Sequence, residues 1–335
     1  MPKQDQSKPT LGGWKRLYQS AREFCELAHW KLLENEIDVF AVEHAETDEV
    51  AYCSVMGAGG QEFGLLAYRD EPGLLAHRLM LNDALDHDEA ILMMDCLSFS
   101  LGNRSELDAE DIAVHKALDL RFRGRGAWPV VRSYRPGCLP ARLNADEAAF
   151  LATCIEQTCL LAREASAGEL RHEPPQDERV LVRRCHPQRG WETDVMDLPP
   201  PIIDTMLEAP RLEAVERDCR RTGLIWEARF LAVVPIEAED ESAYWARSLL
   251  CVDHQTGFIF STSLLEREDS VQGAFLSAME MSGFIPKTLM LTSSLLEAQL
   301  APTTQALGIG VDRVRSLPEL EAAAASLKRA LGAGP

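Results

Sequence analysis

Apolar residues recur at helical spacing near the start of the chain. Trp14, Leu17, Tyr18, Ala21, Phe24, Cys25 and Ala28 fall on one stripe, which predicts a first helix. The period then becomes that of strands. Runs at Ile37 to Val42, Val50 to Met56 and Phe63 to Tyr68 predict three strands. Gly57-Ala58-Gly59-Gly60 joins the last two as a hairpin loop would. A short helix is predicted over 72–81, a buried strand over 90–100 and a helix over 108–118 with acids in its first turn. An irregular stretch, Arg121 to Arg142, precedes a long helix from Asp146 to about Ala165. Asn144 can cap that helix and Glu147 can complete a capping box.

Residues 171–178, RHEPPQDE, are polar, and Pro174-Pro175 cannot continue a helix, so the segment reads as a linker. It separates an N-terminal α+β domain, residues 1–170, from a C-terminal domain, residues 179–335. The second half opens with two short strands around Gln188-Arg189-Gly190 and a helix near Arg211 to Arg221. Strands are predicted at Ile225 to Val234, Ala246 to Val252 and Gly257 to Thr262. A helix over 270–281, a strand over 288–291, a helix over 294–306, a strand over 309–314 and a last helix over 318–331 follow. The order is three antiparallel strands and then helix-strand-helix-strand-helix, and the fold class is α+β.

Hydrophobic residues make up 46% and charged residues 26%, which is globular composition. The formal net charge of -19 disfavours a general nucleic-acid coat or a binder of anionic membranes, because like charges repel. No run of about 18 apolar residues predicts a membrane span, and the N-terminal residues lack the apolar core of a signal peptide. Nine scattered cysteines with no C-x-x-C pair exclude a zinc ribbon or a thioredoxin-like motif, and a reducing cytoplasm is the expected setting.

The segment from Lys116 to Arg142 changes that picture locally. It holds seven Lys/Arg and one Asp, a local charge of +6. Phe122, Trp128 and Tyr134 alternate with the arginines. Guanidinium groups bind phosphates and carboxylates and stack on rings, and single-stranded nucleic acid uses such surfaces. Arg121, Arg123, Arg125, Trp128, Arg132, Tyr134 and Arg135 are therefore the candidate anion- or partner-binding residues. The competing reading is structural: the arginines cross-link acids of the same chain, such as Glu106 to Asp111. Asp95 interrupts an apolar run, and a buried carboxylate needs a partner, for which an arginine of the basic segment is expected.

Other clusters offer less. Asp83, Asp86, His87, Asp88 and Glu89 supply oxygen ligands at short spacing but lack the glycine and spaced acids of a calcium loop, so a solvated turn is expected. His172, Cys185, His186 and Cys219 match no zinc spacing. No G-x-S-x-G elbow, P-loop or dinucleotide fingerprint follows a strand. No metal, cofactor or catalytic set is expected.

The strand order of the second half resembles the ribonuclease H-like fold, βββαβαβα. Cys251-Val252-Asp253-His254-Gln255-Thr256-Gly257-Phe258-Ile259 resembles the second-to-third strand turn of integrase and transposase cores. Gly283-Phe284-Ile285-Pro286-Lys287-Thr288-Leu289 is similar to their approach to the fourth strand, and Leu307-Gly308-Ile309 to the entry of the fifth. The resemblance covers roughly residues 224–331 and implies clustered carboxylates that hold two metal ions. One should stand three residues after Trp226, where Arg229 stands, and one just after the fourth strand, where Thr292 stands. Both acids are missing, and Glu227, Glu319 and Glu321 do not restore the pattern.

The whole chain also resembles a bacterial family of two-domain proteins of unknown function. Arg121-Phe122-Arg123-Gly124, Ala127-Trp128-Pro129, Arg132-Ser133-Tyr134 and Tyr52-Cys53-Ser54-Val55-Met56-Gly57 carry that likeness, which implies no established activity. The expectation is a non-catalytic binding protein whose arginine-aromatic surface meets an anionic ligand or a protein partner, with nucleic acid less favoured and no membrane. The alternative is a metal-dependent nucleic-acid-processing enzyme with displaced carboxylates.

Overall fold

The computed structural model describes residues 7–28, 31, 39–167, 179–186, 188–237, 243–262, 264–265 and 269–331. In chain order the first elements are α1 (Leu11–Leu27), β1 (Phe40–Glu43), β2 (Val50–Met56), β3 (Gly64–Arg69), α2 (Asp70–Leu81), α3 (His87–Met93), β4 (Cys96–Gly102), α4 (Ala109–Ala117), β5 (Trp128–Tyr134) and α5 (Ala145–Ser166). Then come β6 (Arg179–His186), β7 (Gly190–Asp197), α6 (Ala209–Asp218), β8 (Arg220–Arg221), β9 (Ile225–Glu237), β10 (Ala243–Asp253), β11 (Ile259–Ser261), β12 (Leu264–Leu265), α7 (Val271–Ser282), β13 (Phe284–Ile285), β14 (Thr288–Leu291), α8 (Ser294–Ala306), β15 (Gly310–Arg313) and α9 (Pro318–Ala330). Mixed α+β architecture is thus as the periodicities predict.

The chain forms two compact units. The first comprises Met1–Leu75, Asp95–Arg135 and Pro140–Pro201; the second comprises Ala76–Met94, Pro136–Leu139 and Ile202–Pro335. The predicted linker at 171–178 lies outside the described residues. The two strands after it do not open the second unit. β6 pairs in parallel with β1, through Phe40↔Leu181 and its neighbours, and carries β7 with it as an antiparallel hairpin. Alternation in β6 buries Val180 and Val182 in the first unit's sheet. Conversely, residues 76–94, an excursion between β3 and β4, complete the second unit.

The first unit is a seven-stranded sheet in the order β5-β4-β3-β2-β1-β6-β7. Its helices α1 and α5 pack on each other, and α5 also lies against β2, β3 and β4. The α1 stripe is as the spacing predicts: Trp14, Leu17, Tyr18, Ala21 and Phe24 are buried, and Thr10 caps the helix by accepting from Gly13 N. Leu17, Phe24, Phe40, Leu65, Phe99, Leu151 and Ile155 are among the large side chains that fill the core. β3 and β4 approach closely at Gly64, where a Cβ would stand 2.1 Å from Phe99 O.

The second unit has a sheet in the order β11-β10-β9-β14-β15, with β12 also on β10. β9, β10 and β11 are antiparallel, while β14 runs parallel to both β9 and β15. The two sheet faces carry separate cores. One gathers Trp226, Phe230, Phe275, Leu289, Leu291 and Leu300; the other gathers Leu231, Leu250, Val252, Leu317 and Leu320. Strand alternation in β9 therefore places Glu227 and Arg229 on the face of Leu231.

Besides the short strands β8, β12 and β13, which the sequence reading did not contain, two elements of the first half depart from it. The apolar run at 90–97 is divided between α3 and β4, with the chain turning at Met94–Asp95. The stretch 121–142, read as irregular, contains β5, an edge strand that tolerates Pro129.

Candidate functional site

β5 and the chain around it distribute the basic segment between two environments. Arg132 holds Asp111 through both carboxylate oxygens, at 2.7 and 3.3 Å, with Asp111 almost fully buried. Arg142 pairs with Asp108 and reaches Glu110 at 3.0 Å. These are the acids that the structural reading named. Arg135 meets Glu147 at 2.8 Å.

Asp95 does not use the basic segment. Its partner is Arg69 at 2.7 Å, because Tyr68 pairs with Cys96 across β3 and β4 and so sets residues 69 and 95 side by side. Arg69 is 2% exposed. It also donates to Glu147 Oε1 at 3.1 Å, to Ser133 Oγ at 3.1 Å and to the carbonyl oxygen of Tyr134. Sequence reasoning missed Arg69. The signal was a cation ending an apolar strand, but its partner depends on register.

The aromatic rings of the segment are used internally. Trp128 donates its indole N–H to Gly124 O at 3.1 Å. Its ring packs on Phe122 and His115 with centroids at 5.8 and 6.4 Å, and Phe122 meets His115 at 5.1 Å. His115 Nε2 lies 3.0 Å from Tyr18 Oη, and burial lowers its imidazole pKa. Tyr134 is half-buried, which pushes its phenol up.

The loop left outside this stack carries Arg121, Arg123 and Arg125, all exposed. Arg121 lies 3.2 Å from Asp119, a pair that is about four-fifths exposed on both sides. Arg123 and Arg125 make no side-chain hydrogen bond or ion pair among the described residues. Gly124 and Gly126 have φ of 96° and 60°, and Gly126 N donates to Asn103 Oδ1 at 3.2 Å. Of the seven expected residues, three thus share an exposed, anchored loop, while Arg132, Arg135, Trp128 and Tyr134 are engaged within the first unit.

In the second unit, the start of α3 brings Asp86 to Thr292 and Glu89 within reach of the Arg229 charge. Asp86 Oδ2 accepts from Thr292 Oγ1 at 2.7 Å. Glu89, 3% exposed, closes the capping box of α3 by accepting from Asp86 N at 2.9 Å. Burial pushes its carboxyl up to about 7; the Ser293 hydroxyl, the Asp86 N–H and the Arg229 charge oppose that rise, and the Asp86 charge adds to it. Glu89 Oε1 and Arg229 Nε are both buried without a hydrogen-bond partner. Asp88 is met by Lys328 at 3.3 Å. The run Asp86 to Glu89 is therefore a helix start with buried acids, not a solvated turn.

Glu227 has zero exposure. It accepts from Leu320 N at 2.8 Å and from the Nδ1–H of His254 at 2.7 Å. Among the described residues, no group of three or more His, Cys, Asp or Glu could hold a metal ion. Cys185 and His186 lie on β6 and Cys219 ends α6, while His172 lies outside the described residues.

Residues 14–183 match the model of a domain of unknown function, DUF7309, and this match alone covers half of the chain. Residues 211–328 match a second domain of unknown function, DUF6930. The chain belongs to a two-domain family of unknown function. No curated protein and no solved structure matches it. In this family member the arginine loop falls within the first matched span and Arg229 and Thr292 within the second. Asp86 and Glu89 fall within the first span yet complete the second unit. Among the described residues, no helix is long and apolar enough to cross a membrane.

Proposed function

We propose that the protein is a non-catalytic binding protein whose loop at Arg121, Arg123 and Arg125 contacts an anionic partner. One observation carries this reading. In a chain of net charge -19, the other arginines of the same segment have found carboxylates, yet Arg123 and Arg125 stand exposed on an anchored loop without one. Holding guanidinium groups in place before the partner arrives lowers the ordering cost of binding. Because Phe122 and Trp128 pack against each other at a tilt of 57°, the loop offers charge and forked donors, not open rings. That favours carboxylates or phosphates over stacked bases.

The second unit serves this reading as a ribonuclease H-like scaffold. Support comes from its strand order β11-β10-β9-β14-β15, with β14 and β15 parallel to β9. At the positions of the implied acids stand Arg229 and Thr292, and Asp86 and Glu89 are spent on a hydroxyl and a helix cap.

The test is fluorescence anisotropy with labelled acidic peptide, single-stranded RNA and single-stranded DNA, at low and moderate salt with Mg²⁺ or Mn²⁺ present. The same samples are then assayed for cleavage. Salt-sensitive binding that disappears in Arg121→Ala/Arg123→Ala/Arg125→Ala is expected. Equal binding by that variant refutes the loop as the surface, and cleavage of either nucleic acid refutes the non-catalytic reading.

A further inference from the structure

Residues 84–93 are attached to the rest of the second unit through several polar groups. Ala84 O accepts from Leu295 N and Ser293 Oγ, each at 3.3 Å, and from Ser294 Oγ at 3.4 Å. Asp86 takes the Thr292 hydroxyl and Lys328 reaches Asp88. Leu92 adds an apolar contact, and its carbonyl accepts from Gly137 N at 2.8 Å. α3 itself has seven residues, too few to be stable without such contacts.

At the centre of the seat is Glu89. The charged and titratable groups facing it are Asp86 from its own helix and Arg229 from β9, with the Ser293 hydroxyl from the head of α8. Asp88, two residues earlier than Ala90 and on the same turn, is already matched by Lys328 of α9. An ionised Glu89 would have one capping N–H, the nearby Ser293 hydroxyl, a like charge at Asp86, and a guanidinium that does not hydrogen-bond to it. Its Oε1 would remain unmatched in a site closed to water. A neutral Glu89 removes both the repulsion and most of the desolvation cost. The seat thus accommodates one protonation state far better than the other.

We propose that residues 84–93 form a pH-sensitive cover, held more firmly while Glu89 is protonated and opening more readily once it ionises, so that Arg229, Thr292 and the head of α8 are uncovered more often. Glu89 rests near 7 in the seat and returns to the ordinary value of 4.5 on release. The opening equilibrium then rises about tenfold between pH 6 and pH 8 and levels off above that.

Hydrogen exchange of the full chain, read by mass spectrometry between pH 6 and pH 8.5 and corrected for the intrinsic rate of each pH, tests this. Protection of residues 84–94 is expected to fall about tenfold by pH 8, while that of α7 stays constant. Glu89→Gln, which keeps the shape and removes the titration, is expected to abolish the step. Thr292→Val, which removes the donor to Asp86, is expected to speed exchange at every pH and to leave the step in place. Should Glu89→Gln fail to fold, the wild-type contrast between 84–94 and α7 decides alone. A flat pH profile, exchange in step with α7, or an unchanged step in a folded Glu89→Gln overturns the proposal.

Discussion

Glu147 in the first unit and Glu89 in the second are one device in two settings. Each is the third residue of its helix, each closes a capping box, and they are 8% and 3% exposed. Glu147 Oε1 receives Arg69, Arg135 and Ser133, and Oε2 receives Asn144 N. Glu89 Oε2 receives Asp86 N, and Oε1 receives nothing among the described residues. Burying a carboxylate can be offset by hydrogen-bonded counter-charge or by giving up the charge. The first solution locks a site at any pH where the carboxylates are ionised. The second leaves a site whose stability depends on pH.

Removing the counter-charge should break the first solution outright. Arg69→Met leaves Glu147 short of one guanidinium and Asp95 without its partner, and it is expected to cost about 3–5 kcal/mol. Urea denaturation followed by circular dichroism measures this. A loss below about 1 kcal/mol would mean that Arg135 alone satisfies Glu147 and that the two glutamates differ less than their geometry indicates.

Removing the charge should relieve the second solution. Glu89 binds its proton more tightly when folded than when unfolded. Its favourable contribution is therefore complete below about pH 4.5 and is lost as the pH rises through about 7. Glu89→Gln is expected to be neutral near pH 4 and to raise stability by roughly 2–3 kcal/mol at pH 8. Glu147→Gln is expected to destabilise at pH 8, since it weakens hydrogen-bonded ion pairs. Equal pH profiles for the two variants would dissolve the comparison.

The sequence carried much of the second unit and little of this contrast. β14, α8 and most of α9 stand where periodicity and capping residues place them, because their signals are local. α3 was hidden because Ala90 to Leu97 is apolar except for Asp95, a pattern that a strand and a buried helix share. Asp86 and Glu89, at capping-box spacing, were the available sign of a helix start. β5 was hidden by Pro129 and by the arginines, which an edge strand tolerates. What no local signal contains is partner choice. That Asp95 meets Arg69, that Thr292 meets Asp86 206 positions away, and that β6 joins β1 all follow from register and long-range closure.

A smaller effect sharpens the comparison within the seat of Glu89. Thr292→Val removes the one side-chain donor to Asp86 among the described residues while keeping the shape, and is expected to cost about 1 kcal/mol. Measured at pH 5 and pH 8, the loss should be similar, because the hydroxyl serves Asp86 and not Glu89. A loss confined to one pH would couple Thr292 to the titration of Glu89 and merge two contacts that the geometry separates.

The smallest expected change in stability falls on the exposed arginines, and there its smallness is the informative result. Arg123→Ala/Arg125→Ala removes two cations that touch no partner among the described residues, so stability should stay within about 0.5 kcal/mol. Arg132→Ala, in the same segment, takes from buried Asp111 the guanidinium that holds both its oxygens and leaves it Arg142 at 3.5 Å, so it should cost several times more. If the loop binds a polyanion, the double variant loses that binding and the salt dependence of log K flattens by about two phosphate or carboxylate contacts. A double variant that is destabilised as much as Arg132→Ala would show that the loop arginines are structural too. The division of the segment into a paired half and a presented half would then fail, and the proposed binding surface with it.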